Sequence, residues 1–330
     1  MIPMKPLTVG SAIAQLGHKV SGFIHVPDGV DPGTQIPVTI ITGTRDGPVL
    51  ALVAGIHGSE PSPIVAMQRV RAQLDADTLT GTIIIVHVAN VPSFVHRTIY
   101  RGPWDQKNLN RVFPGSANGT GSERIAHAIT THVIDQCDYL LDMHSGDGNE
   151  ALRPYSYWNH LGLDERVDNI AREMALAFGL DHIVVDRGRP RDLHATLFCS
   201  NTAHARGKPA VTTEAGAVGV PTEDMIELNV DGAFRVMRYL RMIAGDVEMT
   251  TQPKWIENSE VLYSSESGTW HANVAIDQRV KKGDVLGRLT DYFGELITEV
   301  QSPMDGVVLY IVVSPAMSKG EPIGMIGQVD

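Results

Sequence analysis

An apolar run that ends in two ionisable side chains decides the fold: Val49-Leu50-Ala51-Leu52-Val53-Ala54-Gly55-Ile56-His57-Gly58-Ser59-Glu60. A continuous run of small and branched apolar residues is typical of a strand buried on both faces of a parallel sheet. The His-x-x-Glu that follows it places an imidazole and a carboxylate, both zinc ligands, at the open edge of that sheet. The tetrapeptide alone is a weak signal. Its weight comes from two later predicted strands that also end in ligand-type residues, His144 and Glu214.

Strands alternate with helices along the first 250 residues. The sequence predicts strands at 18–26, 36–42, 49–56, 82–89, 139–143 and 209–213. It predicts amphipathic helices at 63–74, 122–135, 164–178 and 222–243. This alternation implies a mostly parallel sheet covered on both faces. The predicted fold class is therefore α/β, with a mostly parallel or mixed sheet and helices on both sides.

The character of the chain changes near Thr250. From Trp255 onward, short β runs are separated by glycine and proline, and no amphipathic helix is evident. We therefore predict two domains, an α/β catalytic domain at 1–250 and a small all-β domain at 255–330. A chain of 330 residues is long enough for both to have their own core.

Composition excludes several classes of protein. The formal net charge of −11 argues against nucleic acid or an anionic membrane as a partner. Cys137 and Cys199 form no CxxC pair, which argues against a disulfide framework and a thiolate zinc site. The N-terminus shows no secretory signal, and the apolar run at 83–91 is too short for a bilayer. We expect a cytoplasmic protein with a small-molecule partner, and a homo-oligomer stays open.

The carboxyl ends of the predicted strands collect polar side chains. Ligands of open parallel sheets bind outside these ends. Four strands deliver His57 with Glu60, then Asn90, His144 and Glu214. A catalytic zinc ion usually has three protein ligands, and two histidines with one glutamate is a known set. We predict one zinc ion per chain, bound by His57, Glu60 and His144, with Glu214 outside the set. A lone histidine at a strand end more often makes only hydrogen bonds, so the coincidence at one edge carries the prediction.

The segment 90–115 contains a second polar cluster, with Arg101, Asn110 and Arg111. A guanidinium group binds a carboxylate through two parallel charge-assisted hydrogen bonds. It also stabilises the oxyanion that forms during amide hydrolysis. Two arginines beside the predicted metal would suit an anionic substrate. An exposed loop with ordinary surface arginines is the alternative.

Four motifs together resemble the succinylglutamate desuccinylase/aspartoacylase family, which is related to the zinc carboxypeptidases. They are Gly55-Ile56-His57-Gly58-Ser59-Glu60, Asn108-Leu109-Asn110-Arg111-Val112-Phe113-Pro114-Gly115, Asp142-Met143-His144-Ser145-Gly146 and Thr213-Glu214-Ala215-Gly216. Their order and spacing match the family over roughly residues 45–220. Many relatives carry Asp at the position of Asn108, which we expect to support its loop. Asp142 either supports a ligand histidine or caps a neighbouring loop.

The resemblance implies a role for each candidate residue. The three predicted ligands would hold zinc. Glu214 would be the general base that activates water and returns the proton to the leaving nitrogen. Asn110 and Arg111 would hold a substrate carboxylate. An upstream arginine would polarise the scissile carbonyl, and we choose Arg101, with Arg97 as the alternative because the intervening loop varies in length.

The implied function is a zinc-dependent amide hydrolase that removes an acyl group from a small carboxylate-bearing N-acyl amino acid. The motifs are most similar to those of deacetylases acting on N-acetylated diamino acids such as N-acetyl-2,4-diaminobutyrate. Such a substrate carries a cationic amine, for which Asp147 and Glu150 are candidate partners, although solvated loop acids are commoner. Two alternatives stay open. One is a zinc carboxypeptidase acting on peptides, and the other is a non-catalytic binding protein with the same fold.

The C-terminal segment resembles a biotinyl/lipoyl-type hammerhead, through Val280-Lys281-Lys282-Gly283-Asp284-Val285-Leu286-Gly287 and Ser302-Pro303-Met304-Asp305-Gly306-Val307-Val308. Carrier domains present a lysine about seven residues before this proline. Here that position is Leu296, and no lysine lies between Lys282 and Pro303. We therefore reject a carrier function and expect the domain to shield the active site or contact another subunit.

Overall fold

A computed structural model describes residues 7–329 of the protein, which contain a large mixed sheet, two smaller antiparallel sheets and a two-stranded antiparallel sheet of the first two strands. The strands of the N-terminal part are β1 (Leu7–Val9), β2 (Ala12–Ala14), β3 (His18–Val26), β4 (Thr34–Thr42), β5 (Arg45–Ala54), β6 (Thr80–Val86), β7 (Tyr139–His144), β8 (Glu150–Leu152), β9 (Tyr155–Asn159), β10 (His182–Asp186) and β11 (Ala210–Glu214). Those that follow are β12 (Lys254–Ile256), β13 (Ser259–Tyr263), β14 (Gly268–Ala272), β15 (Arg279–Val280), β16 (Val285–Thr290), β17 (Leu296–Gln301), β18 (Gly306–Val312), β19 (Ala316–Met317) and β20 (Pro322–Gly327).

The α-helices all lie before the C-terminal β region. They are α1 (Pro61–Gln73), α2 (Val91–His96), α3 (Gly121–His132), α4 (Glu165–Phe178), α5 (Cys199–Ala205) and α6 (Glu223–Tyr239). Short 3-10 turns occur at Ala76–Thr78, Leu109–Arg111 and Ile134–Gln136. Within residues 7–329, none of the helices has the length and apolar character needed to span a membrane.

The nine-stranded sheet has the order β12-β10-β9-β11-β7-β5-β6-β4-β3. Its centre is parallel, with β6, β5, β7 and β11 running in one direction. Antiparallel pairs flank this centre, because β11 pairs with β9 and β6 pairs with β4 in opposite directions. The predicted α/β class with a mostly parallel or mixed sheet is therefore confirmed.

Side chains of each central strand alternate between two buried cores, as the twofold periodicity of a strand requires. Leu50 and Leu52 of β5 pack on one face, in the core that contains residues of α1, α4 and α6. Ala51 and Val53 pack on the other face, with residues of α3 and α5. Both faces are covered, which explains why the strand is continuously apolar.

Two strands, β12 and β8, each join a sheet of the other part of the chain. β12 joins the edge of the large sheet, parallel to β10. Conversely, β8 belongs to the N-terminal part and pairs antiparallel with β18 of the C-terminal region. The C-terminal strands otherwise form two antiparallel sheets, β13-β20-β18-β15 and β17-β16-β14-β19. Each part thus contributes a strand to the other part's sheet, and the domain boundary near 250 stays a prediction.

Candidate active site

Three neighbouring parallel strands bring the candidate ligands to one edge of the sheet. β5 ends at Ala54, and His57 and Glu60 follow in the turn that leads into α1. β7, its neighbour, ends on His144. The next strand, β11, ends on Glu214, which is paired in register with His144. The adjacency of these strands explains why Glu60 meets His144, which lies 84 positions later in the sequence.

Glu60 lies between the two histidines. One carboxylate oxygen is 2.7 Å from Nδ1 of His57, and the other is 2.9 Å from Nδ1 of His144. One ligand atom from each of the three residues lies within 4.8 Å of the others. Glu60 and His144 are buried, and His57 is partly accessible. The three predicted ligands therefore converge on a single point, and the set could hold a metal ion.

The outer nitrogens of both rings contact oxygen acceptors. Nε2 of His57 lies 3.1 Å from Oδ1 of Asn108, and Nε2 of His144 lies 3.0 Å from Oδ1 of Asp142. The same Asn108 oxygen accepts from the backbone N–H of Asn110, which fixes the orientation of the amide. Nε2 must therefore donate in each ring, and in the neutral ring Nδ1 then presents a lone pair. Two imidazole lone pairs and a carboxylate facing one another require a cation between them, which fits a metal.

The pKa values of these residues also show that their carboxylates attract positive charge. Burial raises the pKa of Glu60, but the charges of His144 and His57 outweigh it and leave that pKa below its ordinary value. Burial lowers the pKa of His144, but Asp142 and Glu60 outweigh it and leave that pKa well above its ordinary value. Protons on the rings neutralise the carboxylates in this state. A metal ion would displace those protons on binding.

Glu214 lies beside this set. Burial holds the pKa of Glu214 well above its ordinary value, and the nearby carboxylates Glu60 and Glu150 add to the shift. A carboxyl group with a raised pKa accepts a proton more readily near neutral pH. The structure thus combines a candidate metal centre with a candidate proton acceptor.

The set opens into a cavity of about 500 Å³, which suits a small ligand. The N-terminal part lines it with His57, Glu60, Tyr100, Arg101, Gln106, Lys107, Asn108, Arg111, Val112, Ser145, Glu150, Leu152, Tyr155, Tyr157 and Glu214. The C-terminal part lines it with Val261, Tyr263, Tyr310, Gly320, Glu321 and Pro322. The C-terminal β region therefore supplies part of the cavity wall, and a role as a shield or as a subunit contact stays a prediction.

The predicted arginines differ in their placement. Arg101 and Arg111 both line the cavity. Arg97 follows the last residue of α2 in a left-handed conformation. It is not among the described residues that line the cavity. The Arg111 guanidinium lies 4.5 Å from the ring centre of Phe198 and donates to the backbone oxygen of Asn110, at 2.7 Å. Within residues 7–329 it has no carboxylate partner. It is free to receive an anion.

Asn110 is buried rather than exposed to the cavity. Its side-chain oxygen accepts from the backbone N–H of Cys199, at 2.8 Å, and its Nδ2 lies 3.4 Å from Nε2 of His144. Its backbone oxygen accepts from Arg111. Asn110 thus connects the arginine loop, α5 and the candidate metal ligand, and a direct contact of its amide with a substrate stays a prediction.

Sequence reasoning missed a ring of tyrosines in the cavity wall. Tyr155 and Tyr157 alternate along β9, so both point towards the same side of the strand. That spacing was a usable signal. Tyr263 and Tyr310 come from the C-terminal part, and their presence depends on how the two parts pack.

Comparison with known proteins identifies the family of the chain. Residues 46–240 match the model of the succinylglutamate desuccinylase/aspartoacylase catalytic domain. The chain belongs to this family. The match contains all three candidate metal ligands and Glu214, and the resemblance inferred from four motifs is confirmed.

Members of the family and proteins of similar structure cover nearly the whole chain. It is 28% identical over 320 residues to the N-alpha-acetyl-L-2,4-diaminobutyric acid deacetylase of Halomonas elongata, across 93% of this chain and 91% of the relative. The fold is similar to that of the product-bound ectoine utilization protein EutE (DoeB) from Ruegeria pomeroyi, with a TM-score of 0.84, 23% identity and 99% coverage of both chains. It is also similar to that of a succinylglutamate desuccinylase from Silicibacter sp. TM1040, with a TM-score of 0.83, 24% identity and coverage of 99% and 100%.

Proposed function

We propose that this protein is a zinc-dependent amide hydrolase that removes the acyl group from a small N-acyl amino acid. The observation that carries the proposal is the convergence of His57, Glu60 and His144 beside Glu214 at a cavity. The family membership and the deacetylase relative support the same class of reaction.

Two imidazoles and one carboxylate are a donor set that suits catalytic zinc. When bound, zinc supplies Lewis acidity, which polarises a carbonyl group and lowers the pKa of water. Asn108 and Asp142 hold the two rings with Nδ1 facing the Glu60 carboxylate, where the three residues would hold the ion. The chain thus provides the ligands, their orientation and the negative charge that one divalent cation needs.

Glu214 is the proposed general base. Its carboxylate takes a proton from the attacking water and later gives it to the leaving nitrogen, so the amine departs neutral. Burial holds the pKa of Glu214 well above its ordinary value, which makes its carboxylate a stronger proton acceptor. The C-terminal part contributes side chains to the wall of the same cavity.

The arginine loop is the proposed binder of substrate charge. Arg111 would hold the carboxylate of the amino acid through paired N–H donors, and the Asn110 backbone oxygen orients its guanidinium. Arg101, whose Nη1 donates to the backbone oxygen of Gln106 at 3.1 Å, would stabilise the oxyanion at the scissile carbonyl. Both side chains line the same cavity as Glu214.

An N-acetylated diamino acid is the proposed substrate class. The deacetylase relative, as its name states, acts on N-acetylated diaminobutyric acid. A carboxypeptidase acting on peptides fits less well, because a cavity of about 500 Å³ under the C-terminal part leaves little room for a chain of residues.

Metal analysis followed by a substrate screen tests the proposal. The purified zinc-loaded protein would be assayed with N-acetyl amino acids, N-succinyl amino acids and dipeptides. We expect one zinc ion per chain and hydrolysis of N-acyl amino acids. Hydrolysis of peptides alone would favour the carboxypeptidase alternative. Failure to bind zinc, with no hydrolysis after zinc addition, would favour a non-catalytic binding protein.

A further inference from the structure

Two buried carboxylates, Asp147 and Glu150, lie in the segment that follows His144, and the structure separates their roles. Asp147 accepts three hydrogen bonds from its own surroundings. Its Oδ1 accepts from the Ser59 hydroxyl and, at 2.8 Å, from the Gly148 backbone N–H, while Oδ2 accepts from the Tyr100 backbone N–H at 2.9 Å. Asp147 therefore fixes the backbone of the arginine loop, and it is not among the described residues that line the cavity.

Glu150 has capacity to spare and lines the active-site cavity. Its Oε2 accepts from the Asp147 backbone N–H at 2.9 Å. Its Oε1 lies 2.9 Å from the hydroxyl of Tyr100, whose single proton is shared with Oδ1 of Asn149 at 3.0 Å. An ionised carboxylate can accept about four hydrogen bonds, so about two positions remain. With 8% of its surface exposed, Glu150 is almost wholly removed from water.

The charge of Glu150 is uncompensated. Within residues 7–329 no lysine, arginine or histidine pairs with it. Burial raises the pKa of Glu150 to about 7, and the charges of Asp147 and Glu60 add to the shift. A buried carboxylate without a cation is costly, and a cation supplied by a ligand would relieve that cost.

The position of Glu150 suits such a ligand. Glu150 and Leu152 alternate along β8 and both line the cavity, and β8 pairs with β18, where Tyr310 lies opposite Leu152. Arg111 lines the same cavity and is free to bind an anion. The wall thus offers one site for a carboxylate and one for a cation, and it also contains tyrosine rings, which favour an ammonium group.

We propose that Glu150 binds the side-chain ammonium group of the substrate and so selects N-acyl diamino acids over N-acyl amino acids with apolar or acidic side chains. This inference rests on the proposed function of the same cavity. It assigns a specificity-determining residue that touches the substrate away from the reacting amide.

The test compares two substrates that differ only in the amine, Nα-acetyl-2,4-diaminobutyrate and Nα-acetyl-2-aminobutyrate. In the zinc-loaded protein, we expect Glu150→Gln to lower the ratio of their kcat/KM values by about 10- to 150-fold, the usual loss for a hydrogen bond between charged groups. Glu321→Gln is the matched control, because Glu321 is another cavity carboxylate and lies in the C-terminal part. The ratio of kcat/KM values for the two substrates in Glu321→Gln should equal that of the wild type. An unchanged ratio in Glu150→Gln, or an equal fall in both variants, would overturn the proposal.

A binding measurement separates this inference from the proposed reaction. Calorimetry with free 2,4-diaminobutyrate and 2-aminobutyrate needs no turnover, so it reports on the cation site even if no amide is hydrolysed. We expect the wild type to prefer the diamino acid by about tenfold or more, and Glu150→Asp, which keeps the charge, to retain part of that preference. Equal affinity of the wild type for both ligands would refute the role of Glu150 even if no variant folds. Tyr100→Phe should change the preference less than Glu150→Gln, and an equal change would show that Glu150 only positions the loop.

Discussion

Replacing Asp142 with asparagine tests how the candidate metal centre is held. Asp142 is completely buried, and each of its oxygens accepts one hydrogen bond, Oδ1 from Nε2 of His144 at 3.0 Å and Oδ2 from the Ser200 backbone N–H at 3.1 Å. Asparagine has one acceptor and one donor in the same place. It can accept a hydrogen bond from the Ser200 backbone N–H or from Nε2 of His144, but not from both.

Each orientation of the asparagine has a cost. If its oxygen faces Ser200, its N–H donates to Nε2 of His144, the ring takes the other tautomer, and Nδ1 carries a proton where the metal would bind. If its oxygen faces His144, two N–H donors meet at Ser200 in a buried position. Loss of a partner that supports a ligand typically lowers metal affinity about 10- to 100-fold. That corresponds to about 1.4 to 2.7 kcal/mol of binding free energy.

Competition for zinc against a chromophoric chelator measures this affinity directly. Asp168→Asn is the matched control, because Asp168 is a buried carboxylate 2.7 Å from Nε2 of His204 and is not part of the cavity lining. It should lose stability and keep its zinc affinity. Wild-type zinc affinity in Asp142→Asn would refute the argument that this carboxylate sets the tautomer of His144.

Three further predictions concern the reaction. Glu214→Gln should keep its zinc and lose about 100- to 10,000-fold in kcat, and a native rate would show that the base lies elsewhere. Arg111→Ala should lower kcat/KM about 10- to 100-fold for substrates with a free carboxylate and have little effect on their amides. Its control is Arg189→Ala, which removes the other guanidinium stacked on Phe198, 3.7 Å from the ring centre. Finally, the preference for amine-bearing substrates should increase as pH rises through about 7, because Glu150 is protonated below its raised pKa and charged above it. Tyr100 and Asp147 hydrogen-bond to Glu150, and Glu60 acts on it only through its charge. A ratio of kcat/KM values that stays constant from about pH 6 to about pH 8 would contradict this assignment.

The candidate ligands were predictable because the signal for them is local. His57, His144 and Glu214 each follow an apolar strand directly, and parallel strands share one open edge, so three short segments suffice to assemble the set. The helices α1 and α4 begin and end within a few residues of the predicted bounds, and the apolar periodicity of α4 is strong.

The rest of the site depends on contacts that leave no local pattern. The strands β9 and β10 were not predicted, because a short strand such as Tyr155–Asn159, which mixes aromatic and polar residues, lacks the apolar run of β5. The resemblance predicted Asn110 as a substrate ligand. Its hydrogen bond to the backbone of Cys199 depends on the packing of α5, which the sequence does not indicate. Tyr310 reaches the cavity through the pairing of β18 with β8, between segments about 160 positions apart, which no spacing in the sequence indicates.

The strands that pass between the two parts also govern how the chain can be divided. Removal of everything after residue 250 would leave β8 and β10 with unpaired backbone groups and expose the cavity tyrosines. Unpaired strand edges and bare apolar surface promote self-association. The N-terminal part is therefore a poor candidate for a minimal enzyme. Shortening the protein to it would lower its solubility and remove part of the cavity wall.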